Sequence, residues 1–383
     1  MYSWKTNSGM WKTMPLSSSI LFFAGVFCLF GSLVLVGSTM SFRAQSIPDM
    51  ILTVVIGGGI AIMWAYAGFS RTGWLIAVAA VIQLVVNIVL GSIAQTRPSL
   101  EGNPPELHHK LVLLGWTEIS LIVLGYASFV IFSIREGRRY FRTQTEVRLA
   151  GEIHRALVPL KHQTIGNFEI FGSSVPSSEV GGDLFDIVQS NGVWHAYVAD
   201  VSGHGVAAGI LMSMIKSAAS MQLTKLQRPE DLLRDLNDVL QPVTSPANYL
   251  TFAYVSGPSG NVTSRDLSFA LGGHLPILHY QKQGRNVAEL ADSNVPIGMF
   301  KDQHFAISKV QVQAGDLLAI ITDGFTEVFD SEEREIGMDD FKLALANCAE
   351  NPLPEIYSEL RARTLKFGKQ SDDQTMLLIR RLT

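Results

Sequence analysis

Val198-Ala199-Asp200-Val201-Ser202-Gly203-His204-Gly205 carries an apolar run onto a carboxylate and then into a glycine turn. The run reads as a strand, and Asp200 stands at its end. Gly203 and Gly205 let the backbone turn tightly and leave room for a carbonyl to face a ligand. The same arrangement recurs further along. Leu318–Thr322 leads to Asp323 with Gly324 behind it, Gly181 and Gly182 precede Asp183, and Asp372 with Asp373 opens the last apolar run. Carboxylates at strand ends beside glycines are what hard divalent cations need. Positions this far apart in sequence meet only if their strands lie side by side. One such context alone commonly marks a turn; four together point to a metal-dependent hydrolase.

Working outward, Phe168–Ser174, Val193–Asp200, Tyr249–Ser256, Leu267–Leu271, Leu317–Thr322 and Met376–Arg380 read as strands. Ala207–Gln222, Pro229–Leu240, Asp339–Ala349 and Leu353–Leu365 read as helices. Strands in succession with helices between groups of them predict an α+β fold rather than a regular βαβ repeat. The two cysteines, Cys28 and Cys348, form no Cys-x-x-Cys pair, so a reducing compartment suits this half.

The first third differs. Charged residues make up 17% of the chain against a typical ~25%, and the deficit is concentrated there. Four apolar runs, 16–36, 50–69, 74–93 and 111–134, fit spans of roughly 20 residues each, predicting an all-α four-helix transmembrane region over 1–134. The first run is long and lacks a small-x-small cleavage site, so it reads as a span rather than a cleaved leader. Lys5, Lys12, Arg71 and the cluster Arg135, Arg138, Arg139 and Arg142 fall on one side of four spans, which the charge rule makes cytoplasmic. The chain is thus expected in the inner (plasma) membrane as a multi-pass protein with its catalytic domain in the cytoplasm. His108 and His109 read as part of a solvated loop. Glu118, Gln83 and Asn87 lie within spans, either as interhelical hydrogen-bonding groups or as a functional site. Net charge is −4, so no overall field favours nucleic acid.

Residues 135–160 form a basic, helical linker. Leu149, Ile153, Ala156 and Leu157 share one face, and Pro159 ends the helix. That face is expected to pair with a second copy, giving a homodimer, or to pack on the catalytic core; a passive spacer is the alternative.

Val180–Asp186 (Val-Gly-Gly-Asp-Leu-Phe-Asp), Ala199–Gly205, Gly272–Pro276 (Gly-Gly-His-Leu-Pro), Gly315–Glu327 and Asp372–Thr375 (Asp-Asp-Gln-Thr) stand in an order with a specific resemblance. It resembles the stage II sporulation protein E type of the metal-dependent protein phosphatase (protein phosphatase 2C) superfamily. Glu152–Pro159 is similar to that family's entry segment. The resemblance runs from about Ala150 to the C-terminus and omits the membrane third. It implies a two-sheet antiparallel β-sandwich flanked by helices over 161–383, with two Mn²⁺ or Mg²⁺ ions at one edge. By resemblance, Asp200 bridges both ions, the Val201 carbonyl binds one, Asp323 and Asp372 bind the other, and Asp183 binds directly or through water. Asp373 replaces Asp372 if the register shifts by one. Asp186 takes a capping or supporting place.

One departure concerns the leaving group. The eukaryotic branch has a His two residues after its bridging Asp; here Ser202 holds that place and His204 stands two further on. The acid is therefore unassigned, and His274 reads as shaping a turn. Neither cysteine stands in a Cys-x5-Arg pattern. The resemblance implies a membrane-anchored protein serine/threonine phosphatase acting on a phosphorylated cytosolic regulatory protein, such as an anti-anti-sigma factor. The alternative is a membrane sensor whose phosphatase-like domain mainly binds a partner.

Overall fold

The computed structural model describes residues 14–39, 46–70, 73–96, 104–203, 205–225, 229–244, 249–260, 265–292 and 294–383. Lys5, Lys12, Arg71 and His204 lie outside them. The chain divides into two compact units, Met1–Thr143 and Gln144–Thr383.

The first unit is helical: α1 (Leu16–Thr39), α2 (Ile47–Ser70), α3 (Gly73–Thr96) and the first part of α4 (Pro104–Leu157). α1, α2 and α4 are long and apolar enough to cross a membrane, and α3 contributes the apolar run Trp74–Val89. Small residues let the helices approach. A side chain on Gly57 would meet Val34, one on Gly58 would meet Phe27, and one on Gly125 would meet Leu29. Such close contact gains van der Waals packing between the helices. Phe22 packs against Phe129 and Phe132 across α1 and α4.

The sequence separates a fourth span from a linker, whereas α4 is one unbroken helix of 54 residues. No Pro or Gly-Ser pair interrupts Leu111–Leu157, so nothing stops the helix where its composition turns basic. It ends at Leu157, two residues before Pro159, where the pre-proline position disfavours helix. In the second unit the buried side of its last turns is Gly151, His154 and Val158, while Leu149 and Ile153 are half exposed. The expected face therefore divides: Leu157 at the helix end packs on the catalytic core, while Leu149, Ile153 and Ala156 are exposed.

Among its described residues the second unit holds eleven strands in two antiparallel sheets. One has the order β1 (Lys161–Ile165), β2 (Phe168–Val175), β11 (Gln374–Arg381), β10 (Leu317–Ile321), β7 (Ile277–Gln281), β8 (Asn286–Leu290). The other runs β3 (Asp183–Ser190), β4 (Val193–Val201), β5 (Leu250–Pro258), β6 (Asp266–Gly272), β9 (Ser308–Gln311). Strand periodicity divides the core. Ile170, Leu318, Ile320, Leu377 and Ile379 join the residues of the second sheet in one cluster. Their neighbours Phe171, Leu317, Ala319, Ile321 and Leu378 pack instead against α7 (Gly337–Cys348) and α8 (Leu353–Phe367). On the far side, α5 (Val206–Lys225) buries Met212, Ile215, Ala219 and Leu223 in the core with α6 (Pro229–Leu240) beside it. The layers run helix, sheet, sheet, helix. α5 is also apolar enough to span a membrane, but its inner face belongs to this core.

Five strands escape the sequence reading: β1, β3, β7, β8 and β9. β3 is the instructive one. Asp183 and Asp186 are both buried within it, and two carboxylates in one strand break the apolar pattern. The last strand begins at Gln374, so Asp372 and Asp373 sit in the turn ahead of it rather than at its start.

Candidate active site

Pairing brings the carboxylates to one end of the sandwich. Asp183, first in β3, stands directly across from Asp200 near the end of β4. In the other sheet, Ile321 pairs with Met376, which brings the turn after β10 beside the turn before β11. Asp323 opens a short 3-10 turn there, and Asp372 lies opposite. Thr322 ties the sheets together. Its hydroxyl donates to Asp183 Oδ2 at 2.8 Å and accepts the Thr375 amide at 3.0 Å.

The glycines serve close approach. A Cβ on Gly324 would lie 2.0 Å from the Asp373 carbonyl, and one on Gly182 would lie 2.7 Å from the Val201 carbonyl. Any side chain at either position would push the two turns apart.

The two aspartates of the Asp-Asp pair have different surroundings. Asp373 is buried and accepts hydrogen bonds from the Ser177 amide at 2.6 Å, the Ser177 hydroxyl at 3.0 Å and the Gly182 amide at 2.6 Å. It clamps the Gly181–Gly182 turn that delivers Asp183. Asp372 is exposed and its charge acts on both Asp200 and Asp323. Ser202 accepts the Tyr249 amide at 2.9 Å and holds the turn to β5. His274 Nδ1 lies 2.8 Å from the Thr251 hydroxyl, on the residue paired with Asp200. Burial lowers the His274 pKa to about 4, so it is neutral at pH 7.

The electrostatics record crowding. Burial, then the charges of Asp200 and Asp373, holds the Asp183 carboxyl well above the usual range. Burial, then Asp323 and Asp372, raises Asp200 to about 7. Burial, then Asp372 and Glu327, raises Asp323 to about 6. No lysine or arginine is among the groups acting on these three. Oxygen donors gathered without a cationic side chain fit a hard divalent cation, which would supply the missing charge. Among the described residues no three ligand-type side chains already converge tightly enough to hold an ion, so the donor chemistry fits while the final geometry depends on side-chain rotation.

Three features lie beyond the sequence reading: the Thr322 tie, the Ser177–Asp373–Gly182 clamp and the surroundings of Asp186. Asp186 pairs with Lys161 and, at 3.0 Å, with Lys216; Lys216 also donates to the Leu157 carbonyl at the end of α4. Thr322 and Asp373 stand inside the quoted motifs, but nothing in their spacing announces these partners.

The sequence matches the stage II sporulation protein E family over residues 190–382, half of the chain. The chain belongs to this family. Its catalytic half is a phosphoprotein phosphatase domain of stage II sporulation protein E type, and Asp183 lies just ahead of the matched segment. Among curated proteins it is similar to the phosphoserine phosphatase RsbU of Bacillus subtilis, at 24% identity over 241 residues, covering 62% of this chain and 70% of that one. It is also similar to the phosphoserine phosphatase RsbP of the same organism, at 27% identity over 155 residues, 39% of this chain and 37% of that one. Among solved structures, the SiaA-PP2C domain of Pseudomonas aeruginosa superposes with a TM-score of 0.54 at 21% identity, covering 63% of this chain and 98% of that domain. That likeness shows the fold, and the two antiparallel sheets with flanking helices agree with it.

Proposed function

We propose that this protein is a membrane-anchored phosphatase that removes phosphate from serine or threonine of a cytosolic regulatory protein, using two divalent cations of the Mn²⁺ or Mg²⁺ kind. The observation that carries the reading is the meeting of Asp183 and Asp200 from one sheet with Asp323 and Asp372 from the other, with the pKa values of Asp183, Asp200 and Asp323 raised. Bound cations would supply an activated water and offset the charge of the phosphoryl oxygens. Asp200, Asp323, Asp372 and the Val201 carbonyl would hold them, with Asp183 directly or through water. Thr322 orients Asp183, and Asp373 fixes the turn that carries it. The P–O bond to the substrate's serine breaks as water oxygen bonds to phosphorus, and the departing alkoxide takes a proton from solvent; His274, neutral at pH 7, holds its turn instead. The names of two relatives support phosphoserine as the target. The apolar helices α1–α4 support anchoring, and the proposed division is a membrane region over 1–134, a linker over 135–160 and a phosphatase domain over 161–383. The outward apolar face of α4 at Leu149 and Ile153 supports pairing with a second copy.

The test uses the soluble fragment 144–383 with p-nitrophenyl phosphate and with phosphoserine, phosphothreonine and phosphotyrosine peptides. Turnover that requires Mn²⁺ or Mg²⁺, vanishes with EDTA and favours phosphoserine or phosphothreonine is expected. Chelator-resistant turnover would remove the two-metal reading, and absence of turnover at saturating Mn²⁺ would favour a binding role.

A further inference from the structure

A cavity of about 580 Å³ borders the last turns of α4 and α5, but a larger question is posed inside the helical unit. There, a second cavity of about 500 Å³ lies between α1, α2 and α3. Its walls are mostly aliphatic, with Val26, Val34 and Ile60 among them, and three polar groups face it: Trp64, Gln83 and Asn87. Trp64 Nε1 donates to Gln83 Oε1 at 2.6 Å, which bridges α2 and α3. That bond uses the acceptor of the Gln83 amide and leaves its NH₂ group. The side chain of Asn87, one turn further along the same face, lines the open side of the cavity, is exposed, and makes no hydrogen bond to any described residue.

Depth decides what these amides can meet. Trp64 is six residues from the end of α2, Gln83 ten and Asn87 fourteen from the start of α3. At 1.5 Å per residue they lie about 9, 15 and 21 Å along helices that cross a hydrocarbon core about 30 Å thick. Water is scarce at that depth, and an unsatisfied amide is costly in hydrocarbon. The ester carbonyls of membrane glycerolipids lie at the interfaces, out of reach. The opposite face of α3, with Val81, Leu84, Val85 and Ile88 exposed, suits lipid tails. The cavity face therefore differs in chemistry from the lipid face of the same helix.

We propose that this cavity binds a small, neutral, lipophilic carbonyl compound of the quinone class, accepting hydrogen bonds from the amides of Gln83 and Asn87 while its ring lies against the aliphatic walls. Size and lining agree with a small-molecule site, apolar with a few convergent polar groups. The charge state agrees too, since among the described residues no ionised side chain lines the cavity. The inference rests on reading α1–α4 as membrane spans, and it makes the helical unit a receptor as well as an anchor.

The full chain in nanodiscs, titrated with decylubiquinone, tests it through intrinsic tryptophan fluorescence. Saturable quenching is expected in the wild type, lost on Trp64→Phe. Asn87→Leu should shift the midpoint at least tenfold, and Gln83→Met serves where Asn87→Leu fails to insert. Dioleoylglycerol, whose carbonyls are those of a lipid ester, should not compete. Linear quenching equal in wild type and Asn87→Leu would overturn the site, and equipotent competition by dioleoylglycerol would overturn the quinone assignment. Extraction of the protein from membranes by alkaline carbonate would instead overturn the span reading.

Discussion

Asp186 and Asp200 are the same residue in adjacent strands of one sheet, and their surroundings make them opposites. Asp186 has two lysines; among the described residues, the groups acting on Asp200 are other carboxylates, with hydrogen bonding to Asp183. Asp200→Asn and Asp323→Asn in the fragment 144–383 should each abolish turnover yet raise the melting temperature in EDTA, because each removes repulsion. Asp186→Asn should lower it, since breaking a buried pair from one side strands the other charge. Full burial would cost ~3–5 kcal/mol; Lys161 reaches solvent, so about 2–3 is expected. Thermal scans with and without chelator read both signs, and a uniform loss of stability would show that the carboxylates are not under strain. His195 gives a pH signature. It is buried with Nδ1 2.7 Å from the Tyr254 hydroxyl, and burial depresses its pKa to about 4. A histidine depressed in the folded state contributes stability that is present above about 6.5 and lost as pH falls toward 4. Between pH 7.5 and pH 5 the urea midpoint of the wild-type fragment should therefore fall by more than that of His195→Asn. Equal falls would place the acid sensitivity elsewhere.

At the scale of elements, α4 is the one whose boundaries sequence composition misjudges. The change from apolar to basic residues looks like a domain border, yet backbone geometry responds to breakers, and none occurs before Pro159. Its last turns lie against the loop that carries the active-site glycines: a Cβ on Gly151 would come within 2.6 Å of the Glu179 carbonyl. His154, buried with neither ring nitrogen hydrogen-bonded, stands beside Gly181. If α4 moves, the contact would pass that movement to the turn that precedes Asp183. A shift of about 1.4 kcal/mol in such an equilibrium changes a minor active population tenfold. Ile153→Asp, on the outward face, is expected to change the turnover of the membrane-embedded protein severalfold without touching a ligand. Rates in nanodiscs at saturating Mn²⁺ measure this, and an unchanged rate would make the helix a tether.

For the whole molecule, the prediction is topology. The charge pattern predicts that both termini face the cytoplasm, with 94–110 opposite. Alkaline phosphatase fused after Gly102 should be active, and fused after Arg142 inactive. The reverse pattern would separate the catalytic half from a cytosolic substrate.

The sequence by itself determined the class of fold, the family and the candidate carboxylates, because those depend on local grammar: a strand-like run, a carboxylate, a glycine. It marked the apolar helices for the same reason, since a run of about 20 apolar residues is a local property. Only the tertiary structure showed that Asp373 is buried and clamps the glycine turn while Asp372 beside it is exposed, because which of two neighbours in a turn is buried depends on the distant segments packed against that turn. It alone showed Thr322 joining the two sheets, Asp186 held by two lysines, and Asn87 facing a cavity. Those facts are set by which distant segments pack together, and no spacing along the chain encodes the distance between two turns that meet across a sandwich.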